Sequence, residues 1–282
     1  MSLLSWIPLE KLNWDNLSRN PNAISLLEQT LASPSSTSEF SVSAASATPP
    51  RLQNPDKICW YWLSSNPNAI PLLEKFPEKI HFKNLSKNPN AIPLLEKNMD
   101  KVDWYNLSKN PNAIPLLEKF PEKIDWYQLS SNPNAIPLLE QNMDRICWTS
   151  LSCNPNAIHL LERFPKKIYW ASLSTNPNAI HLLEETPDKI DWPLLSANPN
   201  ANLILEKYFE KNFDKINWQY LSRNPSAINI LEKNLDKLNW VYLTTNPKAI
   251  HILEQNLDKL DSYCYHWLSS NPSIFEEWNG MK

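Results

Sequence analysis

Glycine is nearly missing from this chain: Gly280 is the one example among 282 residues, beside 25 prolines. That excludes the Gly-rich loops that cradle phosphates and most turns needing positive φ, so only a few turn types can recur. An excess of either charge is lacking too. The formal net charge is −3 and the pI about 6.0, so no overall field draws nucleic acid or an anionic membrane. No apolar run is long enough to cross a bilayer, and the opening Met1-Ser-Leu-Leu-Ser-Trp6 has neither the basic residues nor the apolar length of a secretion signal. The expectation is a soluble, intracellular protein with no membrane partner. Cys59, Cys147, Cys153 and Cys264 are too few and too scattered for a disulfide framework, so reduced thiols are expected.

What is present is a repeat. Asp103-Trp-Tyr-Asn-Leu-Ser-Lys-Asn-Pro-Asn-Ala-Ile-Pro-Leu-Leu-Glu118 returns, with two changes among its sixteen residues, as 125–140, a period of 22. Aromatic landmarks at Trp14, Trp60, Phe82, Trp104, Trp126, Trp148, Trp170, Trp192, Trp218, Trp240 and Tyr265 are each followed six residues later by Asn-Pro, which makes eleven units. We number them repeats 1 to 11. Such a fixed period marks an array of equal supersecondary units that contact mainly their neighbours.

Each unit reads as two short helices. The slot before the landmark is Asn or Asp in six units (Asn13, Asp103, Asp125, Asp191, Asn217 and Asn239), the residue types whose side chains cap a helix N-terminus. The first helix should end at Asn-Pro, because the residue before proline is steered out of the α region. For the second helix, Asn112 is the preferred cap where Pro115 or its equivalent follows, since this keeps that proline in the first turn. Units with Ser25, His159, His181 or His251 in that slot leave the choice open.

Helices this short are marginal alone, so stacking must supply their stability. The fold class expected is an all-α solenoid of eleven repeats. With neighbours about 8 to 10 Å apart, it would form a rod or arc on the order of 100 Å long. The ends, Leu3–Leu12 and Pro272–Trp278, resemble half-units and read as caps. The chain divides into 1–29 (cap and first repeat), 30–54 (a Ser/Ala/Pro-rich insertion with the composition of a disordered arm) and 55–282 (the remaining repeats and a second cap). Two smaller breaks add four residues, Tyr208–Lys211, which should lengthen a helix and make it project, and three around Asp261–Tyr265.

No catalytic, metal or cofactor site emerges. His159, His181 and His251 share one slot of different units, too far apart for one metal. The cysteines form neither a Cys-x-x-Cys pair nor a Cys/His pair. The landmark aromatics read as core wedges and the Asn-Pro-Asn rows as turn and cap chemistry. A basic residue precedes Ile, Leu or Val in all eleven units, with an acidic residue directly before it in ten. Such adjacent rows read as salt-bridged stripes and argue against nucleic acid as a partner. The candidate partner contacts are Trp62 and Trp267, which lie off the aromatic rows, and Tyr208 and Phe209 in the four-residue insertion.

The unit Leu-Ser-x-Asn-Pro-Asn-Ala-Ile-x-Leu-Leu-Glu followed by Lys-Ile-x-Trp resembles the short tandem repeats of many proteins of giant DNA viruses that infect amoebae and algae. The resemblance covers nearly the whole chain except residues 30–54. It implies a viral source and a helical repeat fold, and it brings no catalytic residue with it. The functional expectation is a non-enzymatic scaffold for protein partners, needing no cofactor or small-molecule substrate. The alternatives are a structural component of a virus particle or viral factory, and a nucleic-acid binder.

Overall fold

The computed structural model describes residues 2–31 and 57–276, and the chain is an all-α repeat solenoid. Repeat 4 shows the unit. Asp103 is extended, and its side chain accepts from the Asn106 N–H to start the helix Trp104–Lys109. All six Asn and Asp residues in that slot cap in this way. The helix stops at Asn110, which returns to the extended region before Pro111.

The second helix, Ile114–Lys119, starts one residue later than its expected cap. Asn112 does not cap it. Asn110 does the local work instead, accepting from the Asn112 N–H at 3.0 Å, an Asx turn that leads the chain into the helix. Pro115 does fall in the first turn, where its missing N–H has no intrahelical partner to lose. The units with Ser25, His159, His181 or His251 likewise begin this helix at the preceding Ile. A 3-10 turn, Pro121–Lys123, then returns the chain to the next landmark.

Burial explains the apolar rows. Leu107, Ala113 and Leu117 are completely buried, and their equivalents recur in one continuous core. The landmark indoles wedge against it: Trp104 packs on Phe120 with ring centroids 5.4 Å apart, and Trp148 on Phe164 likewise at 5.4 Å. The basic row has a use that its spacing did not reveal. Lys57, Lys101, Arg145 and Lys189 stand over the landmark rings of their own repeats, Trp14, Phe82, Trp126 and Trp170, at 4.4 to 5.4 Å from the centroid. Ion pairs with the adjacent acid occur at Lys237–Asp236 and Lys259–Asp258, so the stripe is a cation–π device as well as a salt-bridged one.

Side-chain hydrogen bonds join the repeats. The Asn before each Pro is almost fully buried, and its Nδ2 donates to two backbone carbonyls of the preceding repeat. Asn132, for example, reaches Ser108 O at 3.1 Å and Asn110 O at 2.9 Å. The Ser two residues earlier works in the other direction. Ser130 Oγ donates to Trp126 O and accepts the backbone N–H of Cys147 in the next repeat, at 2.9 Å. Backbone groups left over at the ends of very short helices thus find partners across the repeat boundary.

These ladders do not end. Asn20 of repeat 1 donates to Ser269 O and Asn271 O of repeat 11, and Asn271 in turn donates to Thr244 O and Asn246 O of repeat 10. Ser269 Oγ accepts from the Asn13 N–H at 2.7 Å, and Asn22 Nδ2 reaches Pro272 O at 2.9 Å. Every bond between successive repeats is therefore also made between the last and the first, and the solenoid closes into a ring. The expected rod or arc with two capped ends is overturned.

The two half-units are parts of one repeat. A short strand β1 (Ser2–Leu3) pairs antiparallel with β2 (Phe275–Glu276), and Leu4 N donates to Ile274 O at 3.0 Å. The 3-10 turn Leu9–Lys11 takes the place that Pro121–Lys123 has in repeat 4. Lys11 stands 4.8 Å over the Tyr265 ring and supplies repeat 11 with the cation that its own segment lacks.

Closure follows from wedge-shaped units. First helices of neighbouring repeats pack directly on one another, as do the Asn-Pro turns of repeats 11, 1, 2 and 3, which span the closure. Neighbouring second helices are linked by long side chains, as in Lys119–Glu96 at 3.4 Å and His181–Glu162 at 3.0 Å. The first helices therefore form the narrow inner edge. Eleven of them about 8 to 10 Å apart make a circle about 30 Å across at their axes, which leaves an opening about 20 Å wide inside the side chains.

The insertions are absorbed locally. In repeat 8 the second helix, Asn202–Tyr208, runs into a 3-10 segment, Glu210–Lys215, kinked at Asn212. It folds back and does not project. In repeat 11 the first helix starts early, at Ser262, with Asp261 as its cap. At the largest insertion Thr30 and Leu31 still belong to the second helix of repeat 1, Ile24–Leu31. The rest of the Ser/Ala/Pro-rich segment, and Trp278, lie outside the described residues.

Candidate interaction surface

Three slots of the repeat vary freely: the two residues after the landmark and the residue before Asn-Pro. All lie on the first helix, at the narrow edge of the ring. Their side chains reach from one repeat to another. Asn16 Nδ2 donates to His266 O at 2.8 Å across the closure, and Gln128 Nε2 donates to Tyr105 Oη at 2.6 Å. Burial pushes the Cys153 thiol up, and the Lys109 ammonium, two repeats away, pulls it back down. Charges on this edge thus sense one another over more than one repeat.

Ring closure brings together two of the four residues singled out from the sequence. Trp62 and Trp267 occupy the same slot in repeats 2 and 11, separated by 205 positions in the chain but by a single repeat on the ring. Trp62 is half-buried, with the Arg19 guanidinium of the intervening repeat 4.3 Å above its ring and Tyr61 edge-on at 4.8 Å. Trp267 is 40% exposed and makes an edge contact with His266.

Tyr208 and Phe209 are not part of this group. Both are half-buried, with Tyr208 packed 5.9 Å from Trp192 and Phe209 5.4 Å from Phe213. They line or border an open groove of about 840 Å³ between repeats 8 and 9, next to Trp192 and Asn212. Their apolar surface serves the fold of the insertion.

The ring has two unlike sectors. In repeats 6 to 8 the variable slots hold small or neutral residues such as Thr149, Ser150, Ala171, Pro193 and Ala197. In the other eight repeats they hold Tyr61, Tyr105, Tyr127, Tyr220 and Tyr242 as well as the two tryptophans, and the tyrosines are 37 to 57% exposed. These tyrosines were legible as variable-slot residues. Their concentration in one arc was not, because the arc runs through the closure.

Nothing else in the described residues gathers chemistry. No group of three or more His, Cys, Asp or Glu there could hold a metal ion. Burial raises the thiols of Cys59, Cys153 and Cys264, the last to about 11, opposite to what a nucleophile requires. Each of the three second-helix histidines contacts a Glu of the preceding repeat and no other His. No helix among the described residues is long and apolar enough to cross a membrane.

Fold and surface together define a class, the closed ring of paired-helix repeats with an aromatic arc on its inner edge. No family model, no curated protein and no solved structure matches the chain.

Proposed function

We propose that the protein is a non-enzymatic scaffold that seats a protein partner on the first-helix edge of the ring, centred on the closure. The observation that carries this reading is the cluster of Trp62, Arg19, Tyr61 and Trp267, assembled from both ends of the chain. Exposed Trp, Tyr and Arg are the residue types that dominate binding energy at protein interfaces. The fold needs none of them in these slots, since repeats 6 to 8 hold the same backbone with Thr, Ser and Ala. From the resemblance of the repeat, the partners are proteins of a giant virus or of its host.

The alternative, a building block of a particle or viral factory, draws less support. Repeats that stack end to end polymerise through their exposed terminal faces, and here those faces are joined to each other.

The test is photo-crosslinking. A benzophenone amino acid placed at Tyr61 or at Trp267 should give a reproducible protein adduct in extracts of the producing cells, and the same group at Ala171 should not. Equal labelling from all three positions, or none from any, contradicts the reading.

A further inference from the structure

Charge is distributed unevenly between the faces of the repeat. The second helices and the 3-10 turns after them carry acids and bases side by side, with pairs such as Lys75–Glu28 and Lys119–Glu96. The first helices and Asn-Pro turns, from landmark to Ala or its equivalent, carry Arg19, Lys83, Lys87, Lys109, Arg223 and Lys248 against Asp15 alone. That is a surplus of five positive charges on one edge of a chain whose formal charge is −3. All six cations are exposed, and none is among the ion pairs of the described residues.

Along the chain these residues are scattered from position 19 to position 248. On the ring they fall in repeats 9, 10, 1, 3 and 4, one arc of seven repeats that crosses the closure, and repeats 5 to 8 contribute none. Tyr220, Tyr242, Trp267, Tyr61 and Tyr105 lie along the same arc. At about 8 Å per repeat the arc is about 50 Å long, which an extended chain of about 15 residues would span.

We infer that the partner seated on this arc is an acidic, extended protein segment, whose carboxylates meet the cations while its apolar side chains lie against the aromatic rings. The inference rests on the protein-scaffold reading and adds the chemistry of the partner. A single-stranded nucleic acid would also bring negative charge, but it needs open aromatic faces on which bases stack. Here one face of Trp62 is covered by Arg19, Tyr61 stands edge-on to Trp62 and 4.6 Å from His81, and the Tyr105 hydroxyl is held by Gln128. The rings lie along the edge as a surface and do not rise from it as platforms.

A displayed library of random peptides about 16 residues long, selected on the full-length protein and on an R19Q/K109Q/R223Q variant, tests this. Peptides enriched on the native ring should be net acidic, should bind more weakly as salt is raised, and should lose at least about tenfold in affinity on the variant. The variant should melt at the same temperature, because the three side chains are exposed. Enriched peptides that are neutral or basic, yet lose binding on Trp267→Ala, would overturn the acidic partner and leave the scaffold reading standing. Absence of any enriched peptide would overturn both. An oligothymidylate that binds this arc more tightly than the best peptide would overturn the inference in favour of nucleic acid.

Discussion

Asn20 Nδ2 donates to the backbone carbonyl of Asn271, 251 positions further along the chain, at 2.9 Å, and the bond is the same one that Asn132 makes to Asn110 at 22 positions. A local rule of the repeat thus becomes a statement about the whole molecule. Whatever stabilises one repeat boundary also closes the ring, and substitutions along the ladder should show it.

The two asparagines of each Asn-Pro-Asn are worth different amounts. Asn132 is fully buried, donates twice and accepts once. Asn132→Ala leaves buried carbonyls without partners and should cost about 2 to 4 kcal/mol. Asn134 makes one exposed bond, to Pro111 O, and Asn134→Ala should cost less than about 1 kcal/mol. Ser226, Lys248 and Ser273 already occupy that second slot in repeats 9 to 11. Urea unfolding of the two variants gives the comparison, and equal losses would contradict the role of the buried ladder.

The hydroxyl row has one exception that serves as an internal control. Ser130 Oγ both donates and accepts, and Ser130→Ala strands the Cys147 N–H at a cost of about 1 to 2 kcal/mol. Thr244 turns its hydroxyl to Val241 O, because the three-residue insertion moves the next cap away to Asp261. Thr244→Ala should therefore be the milder change in the same unfolding experiment.

Asp261 gives the pH dependence. The backbone N–H of Cys264, first among several hydrogen bonds, holds its carboxyl below the ordinary value of 3.8. A folded-state pKa below the unfolded one stabilises the protein above the unfolded pKa, and this contribution is lost as pH falls through the folded one. The difference in melting temperature between the native protein and Asp261→Ala should be constant near neutrality and shrink once pH drops below about 4. A difference that grows on acidification would reverse the assignment.

Most of the unit was readable because it depends on near neighbours. Asn13, Asp103 and Asp191 cap as their residue types require, Asn-Pro stops each first helix, and the landmark indoles have their flanking Ile and Leu to wedge against. Closure was not readable, since the angle between adjacent wedges belongs to no single repeat and eleven small rotations must be summed before the ends meet. For that reason Leu3–Leu12 and Pro272–Phe275 looked like two caps when they are two halves of one unit. The inner-edge arc was hidden for the same reason: Arg223 and Arg19 sit at opposite ends of the sequence and close together on the ring. Tyr208 and Phe209 were misjudged because an insertion was taken to extend outward, while Trp192, Phe213 and Trp218 offered them apolar partners inside.

The most direct measurement of ring closure is a disulfide between the two ends. Ser2 and Glu276 face each other in the β1–β2 pair, so a Ser2→Cys/Glu276→Cys variant, oxidised at low protein concentration and read by peptide mapping, should form that bond within one monomer and raise the urea midpoint. Thiols that stay free, or that link separate chains, would show that the ends of the solenoid do not meet.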